Sequence, residues 1–151
     1  MISRREYRLG IIRVLYAYEL MDQPLNIQEI FENNPTLNEE QIKHIEQLSR
    51  GYENYKNVIK RFIHEKWSWE RTSPLIRAIL LNASYELLTI KIPRIVINEA
   101  IEITKYFFED EKNYYKMVNA ILQNIYKYFV INEYLVINEN NNQNPNKKAE
   151  E

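Results

Sequence analysis

The sequence contains no cysteine, and its 151 residues include only 2 glycines and 5 prolines. The absence of thiols excludes disulfides, thiolate metal ligands and cysteine nucleophiles, and it is typical of an intracellular protein. The scarcity of turn-forming residues disfavours hairpins and favours long helices. No apolar run approaches the roughly 20 residues that a membrane helix needs, and the first residues form no apolar stretch of the secretory type. We therefore predict a cytoplasmic, helical protein.

The sequence also contains only two histidines and has almost no net charge. The two histidines, His44 and His64, are too far apart in the sequence to match a metal-ligand motif, and we predict that both face solvent on helices. Gly10 and Gly51 alone cannot form a phosphate-binding loop. We therefore predict no metal, no cofactor and no enzymatic activity. The net charge is −1, so any nucleic-acid site must be a local patch rather than a property of the whole chain.

The spacing of apolar residues predicts six to seven helices and no sheet. Ser3 and Glu6 have the spacing of a capping box, and Ser73 followed by Pro74 is a strong helix start. In chain order, the predicted helices cover about residues 3–21, 26–32, 38–66, 73–88, 94–108 and 113–134. Gly51, inside the third of them, indicates close contact between helices. Residues 1–137 are predicted to form one helical domain, followed by an Asn-rich, disordered tail over 138–151.

Three arginines crowd the first turns of the first predicted helix. The side chains of Arg4, Arg5 and Arg8 fall within an arc of about 100°. Cations at a helix N-terminus oppose the helix dipole, at a cost of about 0.3–1 kcal/mol each when exposed, so the arrangement predicts a site that receives an anion. The planar guanidinium suits phosphate because it binds two oxygens at once. The alternative is a solvated helix end without a binding role.

A second candidate site is the segment 113–117, Asn-Tyr-Tyr-Lys-Met, at the start of the last helix. Amide, aromatic and cationic side chains together are typical of surfaces that contact unpaired bases. The alternative is that its aromatic side chains belong to the core.

Four segments of the chain resemble the NusB family of transcription antitermination factors. Residues 4–20, with Arg4, Arg5 and Arg8 before LYAYEL, resemble the family's arginine-rich opening and its LYxxxL helix. Residues 79–87 are similar to its yEL helix, and residues 92–105 to IPxxVxINEAIELAK. Residues 116–122, KMVNAIL, resemble KFVNGVL. The four segments keep the family's order and spacing, and the resemblance covers about residues 3–130.

The resemblance implies an all-α fold of two small, packed helical bundles. It also implies binding to boxA-like single-stranded RNA, usually with the ribosomal protein NusE, and antitermination by RNA polymerase, notably on ribosomal RNA operons. Other Nus factors and RNA polymerase would be indirect partners, and the free protein would be a monomer or a homodimer. The RNA-binding residues implied are those at the family's contact positions: Arg4, Arg5, Arg8, Tyr16, Asn113, Lys116 and Met117.

This sequence departs from the family pattern at four positions. Met117 replaces the usual Phe of KFVNG, which weakens a base-stacking role there, and Ala120 replaces its Gly. Asn113 stands at a commonly acidic position, so we expect less repulsion of phosphate. Leu81 replaces a frequent Arg.

Two other functions remain open from the sequence. One is a helical adaptor that binds only protein, with the arginines facing an acidic partner. The other is an enzyme accessory domain, because NusB-like domains also occur fused to RNA methyltransferases. No Gly-rich cofactor loop accompanies the helices here, which argues against a methyltransferase.

Overall fold

A computed structural model describes residues 2–64, 67–90, 92–109 and 113–143, with side chains described to residue 132. Within these ranges the chain forms helices and no strand, which confirms the all-α prediction. In chain order the helices are α1 (Arg4–Met21), α2 (Ile27–Asn33), α3 (Glu39–Arg50), α4 (Tyr52–Phe62), α5 (Pro74–Thr89), α6 (Pro93–Phe108) and α7 (Tyr114–Gln143).

Helix α5 is the centre of the fold. It contacts α1, α4, α6 and α7, while α3 packs on α1 and α2 on α3. Every residue of α5 from Ile76 to Leu87 is buried. A helix that is apolar nearly all round can be stable only inside such an assembly. The result is two small bundles joined through α5, as the sequence predicts.

The single helix predicted over 38–66 is wrong, because the structure has two helices that meet at Gly51. Gly51 caps the end of α3, where its N–H donates to the carbonyl of Leu48, and it also precedes α4. A Cβ at this position would lie 2.8 Å from the ring of Tyr55. The missing Cβ therefore leaves room for a ring from the first turns of α4, and not for the contact between helices that the sequence predicted; the same residue also interrupts the helix.

Helix α7 is longer than the predicted 113–134 and ends at Gln143. The tail predicted over 138–151 lies in part outside the described residues and stays a prediction. Across the part of the chain that the structure describes, no helix combines the length and apolar character that crossing a bilayer requires.

Candidate RNA interface

The N-terminus of α1 is fixed by the predicted capping box. The Ser3 hydroxyl accepts a hydrogen bond from the Glu6 N–H at 3.1 Å, and the Glu6 carboxylate accepts one from the Ser3 N–H at 3.3 Å. Two of the N–H groups that a helix start leaves unpaired are satisfied in this way. The three arginines therefore project from a defined helical turn.

Arg8 is buried and paired, contrary to the expectation that it faces solvent beside Arg4 and Arg5. It is 5% exposed, and its Nε lies 3.0 Å from both carboxylate oxygens of Glu86, which is 1% exposed. Glu86 is on α5, so the pair joins α1 to the central helix. In this arrangement the Arg8 guanidinium is not accessible to phosphate, and its role is to hold the start of α1 in place.

Arg5 is half-exposed but also has a carboxylate partner. Its Nε and Nη2 donate to the two oxygens of Glu99 on α6, each at 3.0 Å. The hydrogen bonds from Arg5 hold the pKa of the Glu99 carboxyl below its usual value, and those to Glu99 raise the pKa of Arg5. Because the Arg5 side chain is 49% exposed and that of Glu99 20%, solvent and salt weaken the pair and a competing anion can reach it.

Arg4 is exposed, and its guanidinium carbon lies 4.4 Å from the centre of the Tyr7 ring. A cation over an aromatic face keeps its charge and its outward N–H donors. Of the three predicted arginines, Arg4 has the most accessible positive charge.

Beneath Arg4 and Arg8 lies a buried polar network that the sequence did not predict. The Tyr7 hydroxyl lies 3.2 Å from Nδ1 of His44, whose Nε2 lies 2.7 Å from the side-chain oxygen of Asn82. Asn82 in turn donates to Glu86 at 2.9 Å. The prediction that His44 faces solvent is therefore wrong, because the network uses both of its ring nitrogens. Burial lowers the pKa of His44, which favours its neutral form.

The three arginines line an open groove of about 770 Å³ at the start of α1. We call it the arginine groove, and its lining residues are Ser3, Arg4, Arg5, Arg8, Ile90, Ile95 and Glu99. It joins the ends of three helices, α1, α5 and α6. Cationic donors and apolar surface therefore face the same opening, which suits a polyanion with flat or apolar groups.

Tyr16 lies further along the same helix. It follows Arg5 by eleven residues, which brings it to within about 20° of the Arg5 direction and about 16 Å along the axis. Its side chain is half-buried against the core. No described contact joins Tyr16 to the arginine groove, so the two share a helix face but do not meet.

The second predicted segment lies at the start of α7. Asn113 is exposed with φ 55°, a left-handed conformation that Asn tolerates better than most residues. Lys116 is exposed, and Met117 is half-buried against the core. Asn113, which stands at one of the family's RNA-contact positions, is thus on the surface, whereas Met117 is only partly accessible to a ligand.

The sequence did not single out Lys105 as part of this site. Its Nζ lies 4.7 Å from the centre of the Tyr115 ring, and Nζ of Lys116 lies 6.0 Å from the same centre. Two cations thus flank one half-buried aromatic ring. The sequence does place Lys105 in the last turn of α6, a few residues before α7. That its ammonium group lies over the Tyr115 ring depends on how the two helices pack, which the sequence does not give.

Among the described residues there is no group of three histidine or carboxylate side chains close enough to hold a metal ion. The geometry offers cationic donors, aromatic faces and a groove, which are the components of a surface that binds a nucleic-acid strand.

Comparisons with known proteins agree with this assignment of class. The sequence model of the NusB family matches residues 5–127. The chain is 34% identical over 134 residues to the transcription antitermination protein NusB of Staphylococcus aureus strains JH9 and Newman, covering 83% of this chain and all of theirs. The solved structure of T. maritima NusB has 32% identity and a TM-score of 0.67, covering 83% of this chain and 92% of that one.

The chain belongs to the NusB family of transcription antitermination factors. The family resemblance predicted from four sequence segments is thereby confirmed. The family is one of transcription factors and not of enzymes, as the sequence also predicts.

Proposed function

We propose that this protein binds boxA-like single-stranded RNA through the arginine groove and the start of α7. It acts with the ribosomal protein NusE, so that RNA polymerase reads through terminators, notably on ribosomal RNA operons. Other Nus factors and RNA polymerase are indirect partners. The protein works in the cytoplasm, and when free it is a monomer or a homodimer.

The observation that carries this proposal is the accessible guanidinium of Arg4 beside the exchangeable Arg5–Glu99 pair. Phosphate can displace the Glu99 carboxylate because the Arg5 side chain is half-exposed and would exchange one anion for another. Arg8 then acts through Glu86, by fixing the turn that carries Arg4 and Arg5. The three arginines divide into two phosphate contacts and one positioning residue.

Base contacts are assigned to the remaining predicted residues. Tyr16 lies on the Arg5 side of α1, while Asn113, Lys116 and Met117 begin α7. In protein–RNA complexes, phosphate contacts position the strand and exposed bases are read by stacking and hydrogen bonding. With so few cations, affinity of the protein alone is expected to be modest, and a protein partner would add contact area.

A protein-binding adaptor is the second candidate, favoured by exposed apolar residues near the groove. Leu88, Ile92 and Ile95 are 49%, 52% and 47% exposed around the α5–α6 junction. Apolar side chains grouped in this way are typical of protein interfaces. The same face could accept NusE beside the RNA.

The test is a titration of fluorescently labelled boxA-like RNA, followed by anisotropy, with and without NusE. We expect binding by the protein alone, a tighter complex with NusE, and weaker binding by a control RNA of scrambled sequence. Binding of NusE without any binding of RNA, alone or in the mixture, would support the adaptor instead.

A further inference from the structure

We propose that Trp67 stacks on an unpaired base of the bound RNA, in an aromatic pocket beside the start of α7. The inference rests on the proposed function and assigns a base-binding residue at the second half of that interface. It concerns the indole of Trp67, which lies in the connector between α4 and α5.

The pocket has a volume of about 270 Å³ and is open to solvent on one side. We call it the aromatic pocket, and its lining residues are Phe62, His64, Trp67, Tyr114, Met117, Ala120 and Ile121. It therefore joins the end of α4 and the connector to the first two turns of α7. None of the described residues of this lining carries a carboxylate, and the space is large enough for a single flat base.

Trp67 differs from the other tryptophan in its exposure. Trp67 is 41% exposed, whereas Trp69 is 6% exposed. Trp69 is held in the core beneath the guanidinium of Arg77, at 5.4 Å, and its carbonyl accepts a hydrogen bond from the same side chain. Trp69 thus has the structural role in the connector. The indole of Trp67 keeps apolar surface in water, which indicates a surface available to a ligand.

Backbone hydrogen bonds lie on both sides of Trp67. Its N–H donates to the carbonyl of His64 at 2.7 Å. On the other side, the N–H groups of Arg71 and Thr72 both donate to the carbonyl of Ser68, which closes a turn. The residue that follows Trp67 therefore begins a hydrogen-bonded turn, while the indole itself is exposed.

The chemistry around the aromatic pocket favours a base over an aliphatic side chain of a protein. Lys116 precedes Met117, a lining residue, and together with Lys105 it flanks the ring of Tyr115. Those cations can neutralise the phosphates on either side of an inserted base, which an aliphatic side chain would not need. Among the described aromatic residues of this lining, Trp67 is the one with an exposed ring face, whereas Phe62 and Tyr114 pack against the core.

The test uses the two tryptophans as a matched pair. In W69F the only tryptophan is Trp67, and in W67F it is Trp69, so excitation at the red edge of the absorption band selects one indole in each variant. We expect saturating boxA-like RNA to quench the emission of W69F strongly and that of W67F little. Comparison of wild-type protein with W67F gives the same answer if W69F proves unstable.

A second measurement is RNA affinity by anisotropy. W67A should bind roughly 5- to 150-fold more weakly, which is the range for loss of one stacked base. W67F should retain most of the affinity.

Three results would overturn the inference. If labelled RNA binds but the emission of Trp67 does not change, the base lies elsewhere and the proposed function stands. If W67A and W67F bind RNA as tightly as the wild type does, the indole makes no contact. If the emission of Trp67 responds to NusE and not to RNA, the pocket accepts a protein. Absence of any anisotropy change with wild-type protein would refute the proposed function and this inference together.

Discussion

Replacing Arg8 with Met should destabilise the protein severely, because it would leave the Glu86 carboxylate buried without its cation. Arg8 is 5% exposed and Glu86 1% exposed, and three of their nitrogen–oxygen distances are 3.0 Å. Removing one partner of a buried ion pair typically costs about 3–5 kcal/mol. That is a large share of the 5–15 kcal/mol by which domains are typically stable. At about 2–4 °C per kcal/mol for a chain of this size, Tm should fall by about 6–20 °C.

The assay is urea and thermal unfolding followed by helical circular dichroism. Arg13, exposed on the same helix, provides the control, and R13M should change the free energy of unfolding by no more than about 0.5 kcal/mol. The double variant R8M/E86L removes both charges and should recover part of the loss, although Asn82 then lacks its acceptor. An R8M variant as stable as the wild type would refute the reasoning, because it would show that Glu86 does not depend on Arg8 for its buried charge.

Two further predictions concern Glu99 and His44. E99Q should bind RNA more tightly than the wild type does, because it frees Arg5 from a competing carboxylate. Anisotropy titration at low salt measures this affinity. Equal or weaker binding by E99Q would argue against contact between Arg5 and phosphate. His44 faces Tyr7, Asn82 and Glu86, and burial lowers its pKa below the unfolded value. The unfolded state therefore binds the proton more readily than the folded state does. The free energy of unfolding should fall as pH drops below about 6.5. In thermal melts at about pH 7.5 and about pH 5.5, H44Q should lose less Tm than the wild type does, with H64Q as control; an equal loss in wild type and H44Q would contradict the assignment.

Helix starts were predictable because their signals are local. The bond between Ser3 and Glu6 spans three residues, and Pro74 fits the first helical position whatever the rest of the chain does. The break at Gly51 was missed because the apolar stripe continues across it. Periodicity reports which face is buried and does not report a change of helix axis.

The partners of the predicted arginines could not be found from the sequence. Arg8 and Glu86 are 78 residues apart in the chain, and Arg5 and Glu99 are 94 apart. The helix wheel placed the arginines on one side of α1 correctly but could not say that α5 and α6 present carboxylates to that side. Two of the three arginines that predicted an anion site are therefore paired with carboxylates of the protein itself, Glu86 and Glu99.

The burial of His44 illustrates the same limit. A single histidine on a helix gives no sign of burial unless its hydrogen-bond partners are known, and here Tyr7 and Asn82 come from α1 and α5. The family resemblance supplied Tyr16, which composition alone would not have singled out.

The most direct test of the RNA-binding proposal is the salt dependence of RNA affinity for the wild type and for R4A/R5A. Each phosphate contact on a single strand contributes about 0.7 to the slope of log affinity against log salt. We predict that R4A/R5A keeps the helicity and Tm of the wild type to within a few degrees, binds boxA-like RNA more weakly at low salt and has a flatter slope. An unchanged affinity and slope in the folded double variant would contradict the proposal that these guanidinium groups receive the RNA backbone.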